Sequence, residues 1–188
     1  MDALMAALVA GALAQAGDRT AWLAAILADR FARPGLVILA AALAIGCASL
    51  IACAGALLLQ GKLTPEAGRL FLALALVLQG AGGLVRAKPP ERLAGWRLGA
   101  FGTSTVGLFI LAFGDGLQFI VLALAARAAL PWAAAVGATL GALAVIAPAA
   151  LLGERGWIAL PQLLVRRVAA ALFLVTGIVL ALSALRLV

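Results

Sequence analysis

Six apolar runs, each long enough to cross a bilayer as a helix, follow one another at roughly 3–28, 35–60, 68–86, 99–126, 132–152 and 167–186. About 20 residues coiled as an α-helix match the ~30 Å hydrocarbon layer. Each run stops for a local reason. Asp29-Arg30 and Arg33-Pro34-Gly35 end the first, and Gly61-Lys62 with Thr64-Pro65-Glu66 ends the second. The longest polar stretch, Arg86 through Arg97 with Pro89-Pro90, ends the third. Arg127 and Pro131 end the fourth, and Gly153-Glu154-Arg155-Gly156 ends the fifth. Proline and glycine interrupt helices, and charges fix the boundary with water. With 66% hydrophobic and 11% charged residues, 188 residues carry more apolar surface than a soluble core can hide. The expected fold is therefore an all-α integral membrane protein of six transmembrane helices, with the lipid bilayer as its solvent.

The net charge of +7 and pI of 11.3 do not point to nucleic acid. The basic residues sit in short clusters between apolar runs, and there is no tyrosine to stack on bases. The absence of histidine excludes imidazole ligands and imidazole proton relays. Cys47 and Cys53 fall ~9 Å apart along one helix, too far for a disulfide, and read as small packing residues. Loop charge sets the orientation. The loops after the odd-numbered runs carry nine basic residues: Arg30, Arg33, Arg86, Lys88, Arg92, Arg97, Arg155, Arg166 and Arg167. The other side carries four, Lys62, Arg69, Arg127 and Arg186, and Arg19 lies inside a run. The excess predicts cytoplasmic odd-numbered loops and both termini outside. Met1-Asp2 lacks the basic start of a cleaved signal peptide, and a compact multi-pass protein of a bacterial inner membrane is expected.

The halves repeat. A shift of 97 positions lays Gly17-Asp18 on Gly114-Asp115, Arg30 on Arg127 and Pro34 on Pro131. A slightly longer shift lays Leu70-Phe71-Leu72 on Leu172-Phe173-Leu174. Three spans per repeat is an odd number, so the second copy must be inverted. Such a plan is that of many secondary transporters, with the site at the repeat interface near the midplane. The division is residues 1–86 and 99–188 as the two three-helix repeats, joined by a cytoplasmic basic loop over 87–98.

Ionisable groups inside the runs are few, which makes them informative. Asp18 and Arg19 lie ~10 residues from the end of the first run, and Asp115 lies deep in the fourth between Gly114 and Gly116. Charges at such depth are costly and are either functional or paired; an Asp18–Arg19 packing pair is the bland reading. Helical spacing groups Gln15 with Asp18, and Asp115 with Gln118. If the repeats face each other, two carboxylates and two amide oxygens converge, with Thr20 as a further oxygen. Hard oxygen donors suit Ca²⁺, Mg²⁺ or Mn²⁺. Carboxylates also accept protons once an ion leaves, which would couple cation movement to protons. Three other features read more plainly: Gly137 and Gly141 as a helix-packing stripe, Gln79 as an amide bonding across helices, and Thr103, Ser104 and Thr105 as hydroxyls bonded to their own helix or lining an approach.

Gln15-Ala-Gly-Asp-Arg-Thr20 resembles the Glu-x-Gly-Asp-Lys/Arg-Thr/Ser signature of the Gdt-type transmembrane family, the calcium/manganese:proton antiporters of the lysine-exporter superfamily. Ala112-Phe-Gly-Asp-Gly-Leu-Gln118 is similar to the second copy, Glu-x-Gly-Asp-Lys-Ser-Gln. The resemblance runs on through Pro131-Trp132 and Gly137-Ala138-Thr139. It implies exchange of Mn²⁺ or Ca²⁺ for protons, exported from the cytoplasm, with Asp18 and Asp115 as metal-site acids. Gln15 and Ala112 stand in the two Glu slots, Arg19 keeps a basic slot, and Gly116 and Leu117 replace the Lys and Ser. The full pattern would carry a formal −2, whereas Asp18, Asp115 and Arg19 give −2 + 1 = −1. A bound dication would leave an uncompensated +1 in low dielectric.

The expectation is thus a secondary transporter, with Asp18, Asp115 and Arg19 carrying transport and proton coupling. Asp18, Asp115, Gln15, Gln118 and Thr20 would hold the cargo ion. No cofactor is expected, and the reading leaves room for a homo-oligomer. Two alternatives stand beside it: an exporter of a small solute such as an amino acid, held between an Asp and Arg19, and a non-transporting membrane scaffold that has lost both Glu slots. No nucleophile–base pair or cofactor motif suggests an enzyme.

Overall fold

The computed structural model describes residues 2–85 and 88–186. Arg86, which ends the third run and is one of the basic residues of that side, and Ala87, which opens the basic loop, lie outside the described residues. All regular elements among the described residues are α-helices: α1 (Asp2–Gln15), α2 (Arg19–Phe31), α3 (Pro34–Leu59), α4 (Pro65–Leu84), α5 (Gly99–Phe113), α6 (Leu117–Arg127), α7 (Pro131–Ala159) and α8 (Gln162–Ala184). Pro34, Pro65 and Pro131 each open a helix at its first turn, where a missing N–H costs nothing. Thr64 also caps α4, its hydroxyl accepting from the Ala67 N–H at 3.2 Å.

Four of these helices, α3, α4, α7 and α8, are long and apolar enough to cross a membrane. A fifth span arises if α5 and α6, bent by 68° at their junction, count as one. The first expected span is divided into α1 and α2 by residues 16–18, and α1 is the shorter apolar piece. The outward faces carry exposed side chains such as Leu39, Leu58, Leu74, Leu140 and Val175. A surface that apolar fits hydrocarbon and not water.

Packing follows small residues. A Cβ at Gly11 would sit 2.6 Å from the Ala138 carbonyl oxygen, and Cβ atoms at Gly137 and Gly141 would fall on the carbonyl oxygens of Leu4 and Leu8. Backbone therefore lies on backbone between α1 and α7, as the glycine stripe suggests. α2 also packs on α7, α5 and α6 pack on α3, and α4 lies along α8. Ala-rich apolar cores fill the spaces between, one around α2, α3, α5 and α7 and one around α1, α3, α6 and α7. Both cysteines are free thiols, and the buried Cys53 Sγ donates to the Pro131 carbonyl at 3.3 Å.

Two boundaries differ from the sequence expectation. The fifth run was expected to end at 152, but α7 continues to Ala159 across a non-helical Gly153 (φ 70°). The Asp29 carboxylate fills the space beside that glycine and accepts the Glu154 N–H at 2.7 Å, restarting the helix as a cap would. The sixth span begins at Gln162, directly after Pro161, and not at 167. Arg166 and Arg167, expected in a cytoplasmic loop, accordingly belong to the first turns of α8. For Arg166 the consequence is large.

Candidate functional site

Both Gly-Asp pairs sit where a helix is interrupted. At the first, Gly17 takes φ +73°, a left-handed conformation that costs an L-residue but not glycine. A Cβ there would also lie 2.8 Å from the Gln162 carbonyl oxygen and 3.0 Å from Arg166 Cβ. Asp18 then caps α2. Its Oδ2 accepts from the Thr20 backbone N–H and from the Thr20 hydroxyl, both at 3.1 Å. Thr20 is 1% exposed, so this pairing satisfies an otherwise orphaned hydroxyl and an orphaned helix N–H together.

The other oxygen of Asp18 faces a cation. Arg166 Nη1 donates to Asp18 Oδ1 at 3.2 Å and to the Gly17 carbonyl at 3.2 Å. Arg166 Nε donates to the carbonyls of Gly83 (3.1 Å) and Val85 (3.2 Å), and Nη2 donates to that of Gly82 (3.1 Å). One guanidinium thus closes the carboxyl end of α4, where unpaired carbonyls carry partial negative charge, and joins it to the break between α1 and α2. Both side chains of the Asp18–Arg166 pair are only 16% exposed.

The second break is barer. Gly114 ends α5 at φ −85° and Gly116 precedes α6 at φ −61°, with Asp115 between them. No cation pairs with Asp115 among the described residues. Its described side-chain partner is Gln15, whose Nε2 donates to Asp115 Oδ2 at 3.4 Å across from the other half of the chain. A Cβ on Gly116 would collide with Gln79 Oε1, so glycine makes room there for an amide oxygen from α4.

Asp18 and Asp115 line one cavity of about 260 Å³, together with Gln79, Gly116, Arg166 and apolar side chains that include Phe119 and Phe173. A second cavity of about 650 Å³ lies on the side of the α4–α5 and α7–α8 connections, bounded by Trp22, Lys88, Pro89, Trp157 and Gln162. Asp18 and Arg166 line both.

The expected residues divide as follows. The two aspartates come together in one cavity. Gln15 is buried and reaches Asp115 instead of standing beside Asp18, because α1 ends at Gln15 and the helical i, i+3 rule lapses there. Thr20 donates twice to Asp18, the cap of α2. Arg19, the first residue of α2, is exposed, and Arg166 holds the place beside Asp18 that Arg19 was expected to take. Gln118 is buried on α6, its side-chain nitrogen and oxygen have no hydrogen-bond partner among the described residues, and it does not line the cavity. The turn at 114–116 removes the shared face that spacing assigned to Asp115 and Gln118. Thr103, Ser104 and Thr105 line neither cavity, and their hydroxyls have no partner among the described residues. Arg166 and Gln79 are the members that site reasoning from the sequence left out. For Gln79 the signal was present, a lone amide in an apolar run.

Chemically, the pocket offers two carboxylates, an amide oxygen and one competing cation. No three acidic, Cys or His side chains cluster as a metal site among the described residues. A cation entering would therefore keep much of its water shell, which hard divalent ions readily do. The cavity has the room, since liquid water takes roughly 30 Å³ per molecule.

The divalent cation/proton antiporter GDT1 family matches residues 3–91 and again residues 100–187. The chain belongs to that family. It is a multi-pass membrane transporter of divalent cations against protons, not an enzyme. A protein of Vibrio cholerae serotype O1 named "Putative manganese exporter" is 29% identical over 184 residues, covering 95% of this chain and 90% of its own length. No solved structure matches the antiporter chain.

Proposed function

We propose that this antiporter exports Mn²⁺ from the cytoplasm of a bacterium across the inner membrane in exchange for protons, with Ca²⁺ as the second candidate cargo. The observation that carries the proposal is the convergence of Asp18 and Asp115, from opposite halves, on one cavity at two helix breaks. The name of the Vibrio relative favours manganese, and hard oxygen donors suit Mn²⁺ and Ca²⁺ alike.

In this reading Asp18 and Asp115 carry the ion in one direction and protons in the other. Gln79 supplies an amide oxygen, Gln15 orients Asp115, Thr20 orients Asp18, and water completes the coordination. The six spans form two inverted three-helix repeats, residues 1–86 and 99–188, with the basic loop 87–98 in the cytoplasm and both termini outside. Exchange of partners supports the inversion: the first broken span packs on α7 and the second on α3, each the middle helix of the opposite repeat.

The test uses purified protein in liposomes. A lumen more acid than the bath should drive Mn²⁺ uptake while a lumenal dye reports proton exit. Asp18→Asn and Asp115→Asn should each abolish both signals. Uptake by either variant at the parental rate would overturn the site, and Ca²⁺ displacing Mn²⁺ at equal concentration would reassign the cargo.

A further inference from the structure

We infer that Arg166 is a built-in rival of the cargo: its guanidinium pairs with Asp18, forms the wall between the two cavities, and must let go before a dication can bind. The inference rests on the proposed cargo role of Asp18 and Asp115. It adds a residue that neither family motif contains.

Three observations carry it. First, the pair is the shared boundary, since Gln162 and Arg166 bring α8 against Gly17 and both charged side chains, Asp18 and Arg166, line both cavities. An ion moving from the larger cavity towards Asp115 passes this pair. Second, charge sets Arg166 and a dication against each other. Asp18, Asp115 and Arg166 sum to −2 + 1 = −1. A dication with Arg166 in place would leave +1 in a low-dielectric pocket, whereas a dication with Arg166 withdrawn meets two carboxylates and is neutralised. Third, the guanidinium can release Asp18 without being stranded. Its Nε and Nη2 stay bonded to the carbonyls of Gly82, Gly83 and Val85, and only Nη1 reaches Gly17 and Asp18. The carbonyl end of α4 is thus a resting place for the cation while the cargo holds the acid.

A rival cation lowers affinity but clears the site, because its return to Asp18 helps expel the ion. Removing the charge should therefore tighten binding and slow exchange, a split that mere structural damage does not produce. Equilibrium Mn²⁺ binding to detergent-purified protein, and Mn²⁺ exchange in liposomes, are measured for the parent, Arg166→Gln, Arg166→Lys and Asp115→Asn. Arg166→Gln is expected to bind Mn²⁺ about tenfold tighter or more and to exchange it more slowly. Arg166→Lys, which keeps a charge, should bind close to the parent and recover part of the exchange. If Arg166→Gln remains monodisperse yet binds no tighter, while Asp115→Asn loses binding, the rival role is overturned and the cargo site stands. If Asp115→Asn binds Mn²⁺ as the parent does, the cargo site itself is wrong. If Arg166→Gln unfolds, the Lys variant decides: weakened binding with the charge retained would assign Arg166 a structural role and overturn the inference.

Discussion

The two helix breaks carry the same Gly-Asp pair and are built differently. At the first, Gly17 is left-handed, Asp18 caps the next helix through Thr20, and a guanidinium neutralises it. At the second, no residue is left-handed, the chain turns through 68°, and among the described residues the side-chain partner of Asp115 is the Gln15 amide. The two aspartates coincide at a shift of 97 positions, and their surroundings differ. One is held and countered by Arg166, and the other has no cation beside it among the described residues. A transporter needs both kinds, because an acid permanently paired cannot bind cargo and an acid never paired is costly in an empty membrane site, by about 2.5–3.5 kcal/mol at a span centre.

The largest contrast should come from the glycines. Gly17→Ala forces a left-handed alanine against the Gln162 carbonyl and should cost about 2–4 kcal/mol. Gly114→Ala meets only ordinary contacts, the nearest at 3.5 Å, and should change stability by less than about 0.5 kcal/mol. Melting temperatures in detergent report both, and equal losses would erase the distinction between the breaks.

Much of the fold was legible beforehand for a physical reason. Bilayer thickness fixes span length, so runs of about 20 apolar residues bounded by Pro, Gly and charge mark helices directly. The recurring Gly-Asp likewise marked where two carboxylates would meet. What failed was the assumption of unbroken helices around those pairs. Gln15 with Asp18, and Asp115 with Gln118, share a face only if the 3.6-residue period runs through them, and it stops at 16–18 and at 114–116. Arg166 was hidden for another reason. A basic residue near a span end ordinarily belongs to the headgroup belt. Only the approach of α8 to the end of α4 and to Gly17, residues distant in sequence, turns it inward.

A middle-sized effect tests the cap. Thr20→Val removes the hydroxyl donated to Asp18 while preserving shape, and should cost about 1 kcal/mol. The loss should disappear in an Asp18→Ala background, which has no side-chain acceptor, if the hydroxyl serves that carboxylate. Additive losses in the double variant would mean that Thr20 acts elsewhere. A smaller effect belongs to the second break. Gly116→Ala pushes the Gln79 carboxamide aside, a side-chain shift costing about 0.5–1 kcal/mol, and Gln79→Ala in the same chain should remove that cost. Persistence of the cost without the amide would show that Gly116 is needed for its backbone instead.

The seam between α1 and α7 has a mechanical consequence. With carbonyl oxygens of Leu4, Leu8 and Ala138 pressed against glycine α-carbons, no cushion of side chains lets one helix ride over the other. The two must travel as a single strut. α7 passes into α8 through Leu160-Pro161, and the first residue beyond, Gln162, abuts Gly17. Rocking of that strut reaches, across the break at Gly153, a joint one residue from Asp18.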